Sequence, residues 1–150
     1  MVVRHLASAA ATCAFGAQLA AACPAGVRIH LSGELAAGKT TLARGYLRAL
    51  GHAGAVKSPT FTLVETYELP TRLVHHFDLY RLADAAELEF IGIEEYLEAS
   101  ADCLIEWAER GAAVLPLPDL EIRLMVTDDG RALTVQAYTA LGREIVSGLI

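Results

Sequence analysis

Gly33, Gly38, Lys39 and Thr40 fit the pattern G-x-x-x-x-G-K-[ST], inside the stretch SGELAAGKTT that runs from Ser32 to Thr41. Each residue type in it answers a need of a bound phosphate chain. Glycines let successive backbone N–H groups turn inward onto anionic oxygens, and the N-terminus of a following helix favours negative charge. Lys39 supplies the cation that reaches the outer phosphates, and the Thr40 hydroxyl is an oxygen ligand suited to Mg²⁺. ATP and Mg²⁺ are therefore the expected ligands. The bland reading of the same residues is a glycine turn ahead of an ordinary helix.

Binding is not hydrolysis, which also needs a carboxylate near the metal and a group that orients water. The end of an apolar strand beside the phosphate-loop strand is where such an acid belongs, because ligands sit at converging strand ends. Glu106, after CLI and before Trp107, qualifies, and so does Asp78, at the end of VHHF. Strand-end carboxylates paired with a nearby arginine would read the same way. Thr60, in KSPTFT, lies in the loop after the phosphate-loop helix, where switch threonines meet metal and γ-phosphate; a plain turn residue is the alternative. His75, His76, Asp78 and Arg81 form the remaining polar cluster. Strand alternation puts His76 and Asp78 on one face and His75 on the other. A zinc site wants more ligands than this, so structural histidines are the default.

These groups need a scaffold that brings strand ends and one helix start together. VRIHLS (27–32) reads as a strand running into the loop, and KTTLARGYLRAL (39–50) as the helix leaving it. GHAGAVKSPT reads as loop. FTLVETYEL and RLVHHFDLY then form a hairpin across PT, followed by two short helices around DAAELEFIG and IEEYLEAS. DCLIEW is a buried strand, LEIRLMV and ALTVQAY are strands joined across TDDGR, and ALGREIVSGLI closes the chain as a helix. The predicted fold class is α/β, one P-loop NTPase domain over residues 1–150 with a mixed β-sheet flanked by helices.

Composition narrows the function further. Twelve Lys and Arg against eighteen Asp and Glu give a net charge of −6, with only two lysines, Lys39 and Lys57. A direct polyanion binder needs a basic face, so any RNA is expected to be held by another subunit. Cys13, Cys23 and Cys103 are odd in number, without CxxC spacing, and lie in apolar stretches; reduced, buried thiols in a cytosolic protein fit them. The N-terminal LASAAATCAFGAQLAAACPAG superficially resembles a lipoprotein export box, but its middle is Ala, Ser, Thr, Gln and Gly rather than continuous Leu, Ile or Val. Thr12, Phe15, Gly16, Leu19 and Ala20 instead follow helical spacing, and an exported nucleotide-binding protein would meet almost no ATP. No run approaches the roughly 18 apolar residues of a membrane span, so a cytoplasmic protein without membrane attachment is expected.

Taken together, GELAAGKTT, VKSPTFTLVE, HFDLYRL, ELEFIGIEEY and CLIEW stand in the order and spacing of the bacterial TsaE (YjeE) family, which this chain resembles densely over residues 33–107. That family supplies the ATPase for threonylcarbamoyladenosine synthesis at position 37 of ANN-decoding tRNAs. The resemblance implies Thr40 and Glu106 as Mg²⁺ ligands. It implies Lys39 and the loop amides from Leu35 through Ala36, Ala37, Gly38 and Thr40 to Thr41 as the phosphate cradle. Asp78 would be a carboxylate required for turnover, Thr60 part of a switch-like loop, and Trp107 a neighbour of the nucleotide site, with plain core packing as its other reading. The implied partners are TsaB and TsaD, the threonylcarbamoyltransferase subunits, with tRNA engaged only indirectly. Gly130 and Arg131, in the second hairpin, are the candidates for base contact; an exposed turn arginine explains Arg131 equally well.

Two departures stand out. The family usually has Leu-Gly-Ala-Gly-Lys, whereas Ala36 takes the place of the first of those glycines. If that position needs positive φ, Ala36 is strained or the loop relaxes. Ala108 replaces the usual proline of IEWP and removes no functional group. The functional expectation is an ATPase subunit, activated by partner proteins, that drives a conformational cycle. A small-molecule kinase and a nucleotide-gated binding module without turnover are the rivals, the first weakened by arginines scattered without a lid segment.

Overall fold

Strand β2 (Arg28–Ser32) buries Ile29 and Leu31 on one face and leaves His30 half-buried on the other. It is the middle strand of the computed structural model, which describes residues 1–98 and 100–150. On one side it pairs in parallel with β5 (Ala101–Glu106), on the other in parallel with β6 (Leu120–Thr127). Strand β4 (Leu73–Asp78) runs parallel to β5, and β3 (Val64–Glu68) folds back antiparallel on β4. Strand β7 (Gly130–Ala137) returns antiparallel along β6 and carries β1 (Val2–Leu6) at the far edge. The sheet order is β1-β7-β6-β2-β5-β4-β3. It is the expected mixed sheet, parallel at its centre and antiparallel toward both edges.

One face is covered along its length and the other over the parallel β4–β5 pair, while the β6, β7 and β1 side of that second face is open, with Val3 and Met125 exposed. Helices α1 (Ala9–Ala22), α2 (Lys39–Ala49) and α5 (Ala140–Leu149) pack on one face, where Phe15, Leu19, Leu42, Tyr46 and Ile145 join Ile29, Leu31, Leu104 and Ile122 in the larger core. Helices α3 (Ala86–Phe90) and α4 (Ile93–Tyr96), with the 3₁₀ turn Ala108–Gly111, cover the β4–β5 side of the other face; there Leu88 and Ile93 meet Phe77, Cys103 and Ile105. All six residues of β5 are buried. Leu104 and Glu106 therefore face the α2 layer, while Cys103 and Ile105 face the α3–α4 layer.

Ser8 caps α1 by accepting from the Ala11 N–H at 3.1 Å, and its buried stripe is Thr12, Phe15, Gly16, Leu19 and Ala20, the residues that helical spacing selects. This is the stretch that superficially resembles an export box; it forms a helix against α2. The two helices touch backbone to backbone. A methyl at Gly16 would run into the Leu42 carbonyl, and one at Gly45 into the Cys13 carbonyl.

Several expectations shift. Strand β1 matches no element expected from the sequence: its five residues pair with β7 more than a hundred positions away, so nothing local announces it. Phe61 to Leu63, expected as strand, form a turn closed by the Leu63 N–H on the Pro59 carbonyl at 2.8 Å, with Leu63 at φ 70°. The helix expected over 93–100 is helical from Ile93 to Tyr96, and Ala99 lies outside the described residues. The hairpin across TDDGR and the closing helix form as expected. Among the described residues no helix is long and apolar enough to cross a membrane.

The three cysteines are free, and burial pushes the Cys23 and Cys103 thiols up to about 12. Beside Cys23, at the sheet end away from the glycine loop, the fully buried Asp102 accepts from the Gly26 N–H at 2.7 Å, the Tyr46 hydroxyl at 2.7 Å and Arg72 at 3.1 Å.

Two outcomes follow from this packing. Gly45→Ala should lower stability by about 2 kcal/mol because a methyl must displace the Cys13 backbone, whereas Gly148→Ala, which meets nothing within 4 Å, should raise it slightly; urea unfolding of both variants checks the contrast. Burial also lowers the His30 pKa from 6.5 to about 4. The unfolded chain then binds the extra proton first, so this contribution to stability is complete above pH 6.5 and is lost as pH falls toward 4. His30→Gln should flatten that part of the stability-versus-pH curve.

Candidate functional site

The loop between β2 and α2 turns tightly against its neighbours. Gly33 sits at φ 147° with its α-carbon so near the Leu124 carbonyl that a side chain would not fit. The Ala37 N–H closes a turn on the Glu34 carbonyl at 3.1 Å, and Gly38, at φ 111°, starts α2 with no side-chain cap on its first N–H groups. Ala36 lies at φ 63°, the left-handed conformation that glycine adopts freely and alanine does not. The loop takes a geometry suited to glycine with an alanine in that place.

Lys39 is only 4% exposed. Its ammonium group turns back across the loop to the Gly33 carbonyl, donates to the Glu34 carbonyl at 3.3 Å, and lies 3.9 Å from the centre of the Trp107 ring. Burial lowers its pKa, and the carboxylates of Glu106, Asp78 and Glu109 oppose that shift. Trp107, at φ 58°, is the bend between β5 and the 3₁₀ turn, and its ring also meets Tyr80 at 5.0 Å.

The acids arrive on adjacent parallel strands that end level: Asp78 on β4 is in register with Glu106 on β5, which is in register with Leu31 on β2. Glu106, 2% exposed, accepts from the Thr40 hydroxyl at 3.0 and 3.2 Å and from His76 Nε2 at 2.6 Å. His76 Nδ1 is buried without a hydrogen-bond partner. Asp78 accepts from the hydroxyls of Ser58 and Thr60, the latter at 3.0 Å, and from the Tyr80 N–H at 3.0 Å. The loop after α2 is thus tied to the second acid. His75 faces the other way, bonded to Thr66 at 2.8 Å and edge-on to Tyr96, so the two histidines separate as strand alternation requires.

Arg131 is committed to backbone: Nε donates to the Ala37 carbonyl at 2.9 Å, Nη2 to the Ala36 carbonyl at 3.2 Å, and Nη1 to the neighbouring Gly130 carbonyl at 3.0 Å. Gly130 packs against the Leu6 carbonyl of β1. Between them a cleft of about 140 Å³ opens beside the loop, lined by Ser8, Thr12, Ala36, Gly38, Thr41 and Gly130 among others. Leu35 is exposed at the loop tip.

The structure therefore brings Lys39, Thr40, Glu106, Asp78, Thr60 and Trp107 into one place, with Gly33 and Ala36 to Thr41 around them. Sequence reasoning missed the Ser58 bond to Asp78, the His76 bond to Glu106, and the share of Ser8 and Thr12 in the cleft, which depends on β1. For a hard cation the available donors are the Thr40 hydroxyl and the Glu106 carboxylate, both oxygen. Among the described residues no group of three or more His, Cys, Asp or Glu is placed to hold a metal. Such a sparse set fits Mg²⁺, which completes its shell with phosphate oxygens and water.

With this geometry in hand, comparison with known proteins is specific. The family model described as "Threonylcarbamoyl adenosine biosynthesis protein TsaE" matches residues 6–133. A curated relative from Haemophilus influenzae, "tRNA threonylcarbamoyladenosine biosynthesis protein TsaE", is 50% identical over 121 residues, covering 81% of this chain and 77% of its own. The protein of the same description from Bacillus subtilis is 38% identical over 115 residues, covering 76% and 70%. Among solved structures, YdiB of Bacillus subtilis superposes with a TM-score of 0.85 at 28% identity, over 99% of this chain and 93% of that one.

Asp78→Ala should free the loop it holds, since the Ser58 and Thr60 hydroxyls lose their acceptor at once. Amide exchange over residues 57–63 should quicken about tenfold or more, with exchange in α1 and α5 unchanged, in a mass-spectrometric comparison with the parent protein.

Proposed function

The chain belongs to the TsaE family, whose model spans residues 6–133, and we propose that it binds ATP with Mg²⁺ and hydrolyses it to drive the complex that forms threonylcarbamoyladenosine at position 37 of tRNA. One observation carries the reading. The hydroxyl that follows the loop lysine is bonded, at 3.0 Å, to a buried carboxylate at the end of the adjacent parallel strand. That pairing is what a nucleotide-bound metal needs from a protein.

In this reading the N–H groups from Leu35 to Thr41 and the Lys39 ammonium group hold the phosphates. Gly33 gives the loop room to turn. Thr40 and Glu106 are the residues that would hold Mg²⁺, which when bound neutralises charge on the outer phosphates. His76 fixes the Glu106 carboxylate by occupying one of its oxygens. Trp107 shields one side of Lys39 from water, so its charge acts in a medium less polarisable than solvent. The cleft bordered by Ser8, Thr12, Thr41 and Gly130 takes the base.

Asp78 has two tasks: it lies level with Glu106, beside the outer phosphate, and it ties down Thr60 and Ser58. A change at the phosphate thereby reaches residues 57–63, which gives hydrolysis a route to a partner surface. The chain, net −6, is poorly suited to grip tRNA itself. TsaB and TsaD are the proposed protein partners, tRNA is contacted through them, and the setting is the cytoplasm. One catalytic domain over residues 1–150 does this work.

Phosphate release from ATP and Mg²⁺, with and without TsaB, TsaD and tRNA, tests the proposal. Turnover should rise when those partners are added. Lys39→Ala should reduce it by about a hundredfold or more, and Asp78→Ala and Glu106→Ala should each abolish most of it. Wild-type hydrolysis by the Lys39 variant would remove the site assignment, and nucleotide binding without turnover under every condition would leave a nucleotide-gated binding module in its place.

A further inference from the structure

We infer that Arg131 is a positioning residue for the glycine-containing loop: its guanidinium edge, bonded to the carbonyls of Ala36 and Ala37, keeps Ala36 in the left-handed conformation. This rests on reading the loop as a phosphate cradle. It goes beyond that reading by assigning a residue that acts on the loop and not on the ligand.

A loop whose N–H groups converge on an anion must turn carbonyls outward, and outward carbonyls need partners. Here two successive ones share a single partner, with Nε at 2.9 Å from the Ala37 carbonyl and Nη2 at 3.2 Å from that of Ala36. Those two donors lie on one edge of a rigid plane, so they fix both the spacing and the orientation of the two peptide units. At φ 63°, Ala36 needs such a hold, because an alanine loses about tenfold in population on entering the left-handed region where glycine does not. The side chain that supplies the hold is itself anchored. Arg131 pairs with Val126 on β6 and Leu6 on β1, and its third donor is tied to its own strand at the Gly130 carbonyl. Position 36 and position 131 are thus a matched pair, a residue that resists the loop's geometry and one that enforces it.

The pair makes a signed prediction. Arg131→Ala should weaken affinity for ADP with Mg²⁺ about tenfold and quicken amide exchange over residues 34–38 of the nucleotide-free protein by a similar factor. Arg131→Lys, which keeps the charge but cannot span two carbonyls, should restore little of either. Placed on Ala36→Gly, the same Arg131→Ala change should lose about threefold or less, because glycine holds the conformation unaided; Ala36→Gly alone should bind ADP as tightly as the parent or more so. Calorimetry gives the affinities and mass spectrometry the exchange. Equal losses with alanine and with glycine at position 36, full rescue by lysine, or unchanged loop exchange in Arg131→Ala would each overturn the assignment. If the parent protein binds no ADP, the phosphate-cradle reading falls by itself, and the exchange comparison still decides whether Arg131 holds the loop.

Discussion

Glu106 is a carboxylate almost wholly out of water, and the site is organised around keeping it there. An ionised group in that position is tolerated only when its oxygens are occupied by donors. Thr40 comes from the first turn of α2 and His76 from the neighbouring strand, so satisfying one carboxylate fixes the helix start against β5 and the β4 end against both. The same constraint fixes residue types. A serine or threonine must follow Lys39, and a buried side chain with a single outward donor must sit two residues before Asp78. Lys39 completes the set as the nearby cation, close enough for Glu106 to oppose the effect of burial on its charge.

The strand order makes this possible with few residues. Because β2, β5 and β4 are adjacent and parallel, their ends lie on one line, and one residue from each, Leu31, Glu106 and Asp78, stands level. Antiparallel neighbours would have brought strand starts and loops of other kinds to that line. At the opposite end of the sheet a second buried acid, Asp102, plays a different part. Its donors are Gly26, Tyr46 and Arg72, all committed to structure, so it pins the far end of α2 while Glu106 pins the near end. With both ends of α2 held by buried acids of one strand, and its middle held by glycine contacts with α1, the helix that carries Lys39 and Thr40 has little freedom to shift.

What the sequence made legible followed from local rules. The glycine-containing loop between a strand and a helix, the stripe of α1, the alternation of His75 and His76, and Glu106 at a strand end all depend on residues within one or two neighbouring elements, and the structure has them in those places. Strand β1 depends on a partner in β7, and no spacing inside VVRHL reveals it. The cleft beside the loop inherits that blindness, since Ser8 and Thr12 border it only once β1 lies against Gly130. The turn at Phe61 to Leu63 was hidden for another reason. Its apolar residues have strand propensity, yet Phe61 is largely exposed beneath the Arg81 guanidinium, and tertiary bonds of Ser58 and Thr60 to Asp78 decide the backbone. Ala36 shows the limit in the other direction: sequence could say only that the position would be strained if its φ were positive, and not that it stands at 63° with an arginine from the far hairpin bonded beside it.

The polar groups of the site also satisfy one another, and this bears on how a ligand would act on the molecule. Lys39 is turned onto loop carbonyls, Thr40 onto Glu106, and Ser58 and Thr60 onto Asp78. A bound phosphate would offer Lys39 a better acceptor than a neutral carbonyl, and Mg²⁺ held by Thr40 and Glu106 would compete for the lone pairs that the Thr40 and His76 donors now occupy. Each exchange is favourable only in the liganded arrangement, and this differential is what a ligand needs in order to shift a conformational equilibrium. Asp78 lies one strand from that exchange and holds the Thr60 hydroxyl at 3.0 Å. The loop that Asp78 restrains is therefore tied to a strand end level with Glu106, and beyond it Phe61 and Arg81 stack in the open.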